Sequence, residues 1–310
     1  MIQMFHKASY NLREISELEP GCWINIVAPT PAEVEDISRR LNIPQTMITD
    51  PLDKDERARI EIEDDTLLIL LRVPYFTSDS DVPFNTAPLG IIYTGNLVIT
   101  VANRNATIMN DFTNGLVRNF VTVNRERFIF QILNRAALLY LNYLKEINIR
   151  TEHAERELQN AVSNHQLINM QLLGKSLVYF TTSLKADEIM IGRLSNNKLF
   201  KVAEDDEEMF ADVIVEYRQA LEMATVYNNI LAGTMDAFAS IISNNLNVVM
   251  RTLTYISVIL MVPTLITSMY GMNTKLPFAD EMSLIGFFII IGSSVGISML
   301  VWFLLVKRKL

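Results

Sequence analysis

Polar and sulfur-containing side chains recur at alternating spacings of three and four residues near the end of the chain. This stripe comprises Asn247, Met250, Thr254, Ser257, Met261, Thr264 and Ser268. On a continuous helix the spacing places all of them on one face. Hydroxyl and thioether groups can contact water without carrying charge, which suits the wall of a pore. Ser and Thr are also enriched where transmembrane helices pack together, so the pattern alone leaves both interpretations open.

Two apolar segments supply the helices that would position this stripe. The segment from Leu253 to Met269 contains only mildly polar groups, and the segment from Leu284 to Val306 contains no charged residue. A helix rises about 1.5 Å per residue, so helices of this length can cross a hydrocarbon layer of about 30 Å. We therefore predict a transmembrane hairpin over 250–310. Its parts are a first span at about 250–269, an outer loop at 270–283, a second span at about 284–306 and a basic cytoplasmic tail.

The charges that flank the two spans predict their orientation. Arg251 lies at the start of the first span and a basic tail begins at Lys307, whereas the loop carries Lys275 against Asp280 and Glu281. Basic residues favour the cytoplasmic side, so both termini are predicted to be cytoplasmic and the loop external. The first residues contain no apolar run of signal-peptide length. We expect a multi-pass protein of the cell inner or plasma membrane.

The sequence pattern of the rest of the chain changes at about residue 124. Before it, short β-rich runs alternate with polar breaks, and eight of the ten prolines lie there. Two apolar runs around the Thr94-Gly-Asn turn predict a β-hairpin, and a short helix is predicted to begin at Pro31. Beyond it, apolar residues recur at helical spacing with no proline until Pro263. The predicted fold class is an α+β cytoplasmic domain followed by long α-helices and a two-helix transmembrane hairpin. The predicted domains are a cytoplasmic α/β domain at 1–124, a long-helix stalk at 125–249 and the transmembrane domain at 250–310.

Composition excludes several classes of function. The formal charge of −8 disfavours nucleic acid as a partner. A single cysteine, Cys22, and three scattered histidines disfavour a transition-metal site of the usual kind. The sequence contains no phosphate-binding glycine loop and no HExxH motif, so we expect neither an enzyme nor an organic cofactor.

The first span ends in a motif that identifies a family. Tyr270-Gly271-Met272-Asn273, at the exit of the penultimate apolar segment, resembles the signature of CorA-type magnesium and cobalt transporters. Further matches are Asn247 with Met250, Leu253 with Thr254, and the stretch from Ser176 to Lys185. The resemblance covers most of the chain and is weakest over the first forty residues. It implies a homopentameric, funnel-like channel for Mg²⁺.

The resemblance also implies roles for individual residues. Gly271, Met272 and Asn273 match the outer selectivity filter, and Met250 with Leu253 matches a hydrophobic constriction. The full predicted pore lining is Asn247, Met250, Leu253, Ser257, Met261, Thr264 and Ser268. A neutral amide suits the filter because Mg²⁺ dehydrates reluctantly and can bind through its water shell.

Further acids are assigned by the same resemblance. Asp236 matches a carboxylate near the cytoplasmic mouth of the pore. Asp212 matches a regulatory Mg²⁺ site between subunits, and we expect its partner carboxylate to be Asp50. Asp280 and Glu281 are expected to attract cations at the outer loop, although Lys275 departs from the family pattern there.

Two other interpretations stay open. One is a relative that moves Zn²⁺, Co²⁺ or Ni²⁺, although the intact Met272 favours Mg²⁺ by resemblance. The other is a membrane-anchored sensor or scaffold that uses the hairpin only as an anchor, and such a protein would need neither the polar stripe nor the motif.

Overall fold

The computed structural model describes residues 1–8, 11–78, 80–117, 120–160, 164–200, 202–272 and 284–307. By internal packing the chain divides into two compact units, Met1–Met235 and Asp236–Leu310. The predicted domain limits after residues 124 and 249, which rest on changes in sequence pattern, stay a prediction.

Seven strands within the described residues form one mixed sheet. They are β1 (Ile2–His6), β2 (Arg13–Ile15), β3 (Trp23–Val27), β4 (Arg59–Glu63), β5 (Thr66–Phe76), β6 (Phe84–Thr94) and β7 (Leu97–Ala102). Their order is β2-β1-β3-β7-β6-β5-β4, and β3 runs parallel to β7 while the other pairs are antiparallel. Gly95, at φ +47°, forms the turn between β6 and β7. The hairpin predicted at this turn is confirmed.

Short helices cover one face of the sheet. They are α1 (Pro31–Leu41) and α2 (Gln45–Thr49), whereas α3 (Thr107–Thr113) lies on the opposite face, where the Phe112 ring is 6.3 Å from that of Trp23. Thr30 caps α1 by accepting a hydrogen bond from the Glu33 N–H, and the Glu33 carboxylate accepts one from the Thr30 N–H. Val34 and Ile37 of α1 pack in one core cluster with Ile24 of β3. The helix predicted to begin at Pro31 is confirmed.

Long helices make up the remainder of the described chain. They are α4 (Arg125–Asn160), α5 (Asn164–Leu194), α6 (Glu207–Tyr270) and α7 (Leu284–Lys307). In the first unit, α4 and α5 pack on the face of the sheet opposite α1. There the Phe128 ring lies 5.4 Å from the ring of Trp23, and Phe180 lies 6.4 Å from Phe84. The predicted α/β-then-helical fold class is confirmed.

Two of these helices contain stretches long and apolar enough to cross a bilayer. One stretch lies within Glu204–Tyr270 and the other is Gly286–Leu305. Pro263 lies inside α6 and has no N–H to donate. The hydroxyl of Thr267, one turn later, donates a hydrogen bond of 2.9 Å to the Pro263 carbonyl.

Candidate ion-conduction and ion-sensing residues

The predicted pore-lining residues all lie on one exposed face of α6. Met261 is 64% exposed and Leu253 is 55% exposed. The exposed members are Asn247, Met250, Leu253, Ser257, Met261, Thr264 and Ser268. Half-buried residues recur on the opposite face at Tyr255, Ile259, Val262, Pro263, Ile266 and Tyr270. The helix therefore separates a polar and thioether face from a face that is partly covered.

The covered face of α6 lies against α7. Ile259 and Pro263 line an open cleft of about 290 Å³ together with Val295, Ser298 and Trp302 of α7. Packing between the two apolar helices therefore uses the face that does not carry the stripe. Within one chain the stripe is therefore not the surface that packs on α7, and its pore-lining role stays a prediction.

Hydroxyl groups of the exposed face donate to the backbone of their own helix. Thr254 donates to the Met250 carbonyl at 2.8 Å, and Ser257 donates to the Leu253 carbonyl at 2.9 Å. Thr264 donates to the Leu260 carbonyl at 2.8 Å. A hydroxyl that has donated its proton still offers oxygen lone pairs as acceptors. The face thus presents weak, uncharged acceptors, which can bind the water shell of a cation without holding it tightly.

The described part of the signature motif follows the end of α6. The Gly271 N–H donates to the carbonyls of Thr267 and Ser268 at 2.9 and 3.2 Å, and the Met272 N–H donates to the Met269 carbonyl at 3.4 Å. Met272 is 57% exposed. The remaining predicted residues of this end, Asn273, Asp280 and Glu281, lie outside the described residues.

Asp50 lies in a short 3₁₀ turn, Asp50–Leu52, after α2. Its Oδ2 accepts a hydrogen bond of 2.6 Å from Nη2 of Arg59. The same guanidinium contacts Glu56 and lies 3.2 Å from Glu61. Burial raises the pKa of Asp50, Glu56 and Glu61 raise it further, and Arg59 opposes the shift. Three carboxylates share one cation here, and carboxylate oxygens are the ligands that Mg²⁺ prefers.

A glycine of the sheet fixes the position of this turn. A Cβ at Gly90 of β6 would lie 2.3 Å from Cγ of Pro51, the residue after Asp50. Any residue with a Cβ at position 90 would therefore clash with the ring of Pro51 unless the turn moved. Sequence reasoning missed both Gly90 and the role of Arg59 as the partner of Asp50.

The other predicted acids lie on α6. Asp212 and Asp236 are both exposed, and the Asp236 carbonyl accepts a hydrogen bond of 3.0 Å from the Ser240 hydroxyl. Within the described part of one chain, no contact joins Asp50 to Asp212, and no group of three or more His, Cys, Asp or Glu residues is arranged to hold a metal. The structure therefore leaves the expected pairing of Asp50 with Asp212 untested.

Sequence reasoning also failed to predict a buried acid in α5. Asp187 is fully buried, and its Oδ1 accepts a hydrogen bond of 2.9 Å from the Arg72 N–H. A signal was present, because Asp187 continues the apolar stripe formed by Leu177, Phe180 and Leu184 at spacings of three and four. A charged residue at a position of this stripe is expected to lie in the core.

Comparisons with known proteins agree on one family. The family described as CorA-like Mg²⁺ transporter protein matches residues 19–308. The cobalt/magnesium transport protein CorA of Methanocaldococcus jannaschii is 27% identical over 90% of this chain and 87% of its own length. The protein of the same description from Thermotoga maritima is 21% identical over 81% of this chain and 72% of its own. The complete structure of the M. jannaschii CorA magnesium transporter superposes with a TM-score of 0.84 at 25% identity, covering 98% of this chain and 96% of that one.

Proposed function

This chain belongs to the CorA-like Mg²⁺ transporter family, and from that premise we propose that it conducts divalent cations across the cell membrane, with Mg²⁺ as its main ion. The observation that carries the proposal is the exposed polar and thioether face of α6, which runs from Asn247 to Ser268 and leads into Gly271. The family is one of transporters, so no catalytic residue is expected. Relatives described as cobalt/magnesium transport proteins support the choice of ion.

A single helix pair encloses no conduit, so conduction requires several copies. We propose a symmetric homo-oligomer, a pentamer by resemblance to the family, in which each exposed α6 residue becomes a ring. Rings at Met250 and Leu253 would form the hydrophobic constriction, and Asp236 would lie near the cytoplasmic mouth. Weak acceptors repeated along the ring axis let ions enter and leave.

The motif after α6 would form the outer filter. A ring of Asn273 amides with the carbonyls of Gly271 can accept hydrogen bonds from the water shell of Mg²⁺, which that ion retains strongly. The acids Asp280 and Glu281 would raise the local cation concentration at the entrance. Both termini would then lie in the cytoplasm, with 1–124 and 125–249 as the sensing and stalk regions and 250–310 in the membrane.

The membrane potential supplies the driving force. It is worth about 2.3 kcal/mol per charge per 100 mV, hence roughly twice that for a divalent ion. Coupling to nucleotide hydrolysis is therefore unnecessary.

Internal Mg²⁺ would close the pore through carboxylates of neighbouring subunits. The exposed Asp212 of one subunit and Asp50 of the next would share a cation, and both supply the oxygen ligands that Mg²⁺ takes. Loss of the cation would leave like charges facing one another. The ion would act as a feedback ligand because it binds the closed ring better than the open one.

The transport test uses the purified oligomer in liposomes with an inside-negative potential. We expect Mg²⁺ uptake that internal Mg²⁺ suppresses, and Asp212→Asn should weaken the suppression. The exposed Asp205, on the turn before α6, provides the matched control Asp205→Asn, which should leave suppression unchanged.

Faster uptake of Zn²⁺, Co²⁺ or Ni²⁺ than of Mg²⁺ would assign the chain to another ion. No uptake of any of these ions would favour a membrane-anchored sensor.

A further inference from the structure

Asp187 of α5 is fully buried where α5 packs on the sheet. The main-chain N–H of Arg72 in β5 donates to its Oδ1 at 2.9 Å. Tyr140 of α4 and Tyr217 of α6 are fully buried; burial raises the pKa of both hydroxyls well above the ordinary tyrosine value, and a charge on the nearby Asp187 would raise it further. Ser183, one turn earlier on α5, shares a hydrogen bond of 2.8 Å with Thr86 of β6. The carboxyl group is thus cut off from bulk water on every side.

The hydrogen bonds around Asp187 leave it poorly compensated as an anion. The Arg72 guanidinium favours the ionised carboxyl but is engaged elsewhere, at Thr86 and at the carbonyls of Lys54 and Glu56. Oδ2 of Asp187 and the Tyr217 hydroxyl each have no hydrogen-bond partner among the described residues. The Tyr140 hydroxyl donates to the Arg72 carbonyl at 3.1 Å.

A buried carboxylate with one peptide N–H as its hydrogen-bond donor is costly to keep ionised. Burial accordingly raises the pKa of Asp187 well above its ordinary range, against the opposing effect of Arg72. The cost of burial therefore favours the protonated acid in the packed structure.

We propose that Asp187 is a proton-binding site that keeps the Tyr217 segment of α6 packed on the α/β unit. The carboxyl is neutral while Tyr140 and Tyr217 enclose it. When this segment of α6 moves away, water enters, the carboxyl releases one proton to it, and repacking takes one proton back. Alkaline conditions therefore favour release of the segment, on the helix that also carries Asp212.

Hydrogen exchange of the full-length protein across a range of pH tests the coupling. The measured exchange rates are first corrected for the intrinsic pH dependence of amide exchange. The equilibrium constant for opening of α6 around Tyr217 should then increase by up to about tenfold for each unit by which the pH rises, because each opening event releases one proton. Asp187→Asn keeps the acceptor for the Arg72 N–H and cannot ionise, so this slope should be lost, while the ion pair of Glu188 with Arg218, which also joins α5 to α6, is unchanged. Asp111→Asn, at a buried aspartate paired with Arg135 at 2.7 Å, should keep the wild-type slope.

Infrared spectroscopy tests the proton directly. The wild-type protein at neutral pH should show a protonated-carboxyl C=O band that Asp187→Asn lacks. Tyr217→Phe leaves the carboxyl in place and should shift this band without removing it, so the assignment does not depend on the folding of Asp187→Asn. A missing wild-type band, a band that Tyr217→Phe leaves unshifted, or a pH slope that persists in Asp187→Asn would overturn the proposal. Each readout is independent of ion transport.

Discussion

Arg59 binds Asp50 through a hydrogen bond of 2.6 Å between Nη2 and Oδ2. The same guanidinium contacts Glu56 and Glu61, so it balances only part of the negative charge around it. A further cation placed beside Asp50 would meet a surplus of carboxylate charge, yet it would compete with Arg59 for the same oxygens. Arg59 is thereby expected to set how tightly the proposed sensing site binds Mg²⁺.

Arg59→Gln removes the competing charge. We expect internal Mg²⁺ to suppress uptake at a concentration lower by up to about fivefold, because a partly exposed ion pair contributes about 0.2–1 kcal/mol. The half-inhibiting concentration in liposomes measures the change. Arg39→Gln, which breaks an exposed pair with Glu35 on α1, is the matched control and should leave it unchanged. Weaker suppression in Arg59→Gln would mean that Arg59 orients Asp50 rather than competes for it.

Gly90→Ala forces Pro51 away from the sheet. The new Cβ would lie 2.3 Å from Cγ of Pro51, so we expect the free energy of unfolding to fall by about 1–3 kcal/mol and suppression by internal Mg²⁺ to weaken. Thermal unfolding and the liposome assay measure the two effects. Gly192→Ala on α5 meets no atom within 4 Å and should stabilise the helix by up to about 1 kcal/mol. Wild-type behaviour of Gly90→Ala would show that the turn adjusts freely.

Thiol labelling separates the two faces of α6. Cys22 is fully buried and burial raises the pKa of its thiol, so the native protein should react poorly. A water-soluble cationic thiol reagent should modify Met261→Cys and abolish uptake. Ile259→Cys lies on the face toward α7 and should be protected. Equal labelling of the two variants would contradict a water-lined stripe.

Asp187 should contribute less to the stability of the protein as pH rises. Its folded-state pKa is raised, so its contribution is fully present below the ordinary aspartate pKa of about 3.9 and is lost as pH rises toward the folded value. Asp187→Asn should therefore show a flatter dependence of Tm on pH and a higher Tm than the wild type under alkaline conditions. A parallel dependence in both proteins would contradict a neutral carboxyl. Asp111→Asn should instead lower Tm at neutral pH, since Arg135 loses its buried partner.

Local sequence patterns predicted the helix that carries the proposed pore residues and the hairpin in the sheet. The spacing from Asn247 to Ser268 gave the exposed face of α6 because helical periodicity depends only on neighbouring residues. The turn at Gly95 gave the β6–β7 hairpin for the same reason. The pairing of Arg72 with Asp187 was not predictable in this way, since these residues are 115 positions apart and meet only through packing of α5 on β5. The contact between Gly90 and Pro51 likewise depends on how β6 approaches a distant turn.

Voltage-driven Mg²⁺ uptake by wild type and Asn273→Ala in the same liposomes tests the central claim most directly. The account predicts that wild type takes up Mg²⁺, that Asn273→Ala loses uptake or its selectivity, and that Asn273→Gln, which keeps the amide, retains part of both. Uptake of equal rate and selectivity in wild type and Asn273→Ala would contradict the proposed filter. No uptake by any verified oligomer would contradict conduction itself.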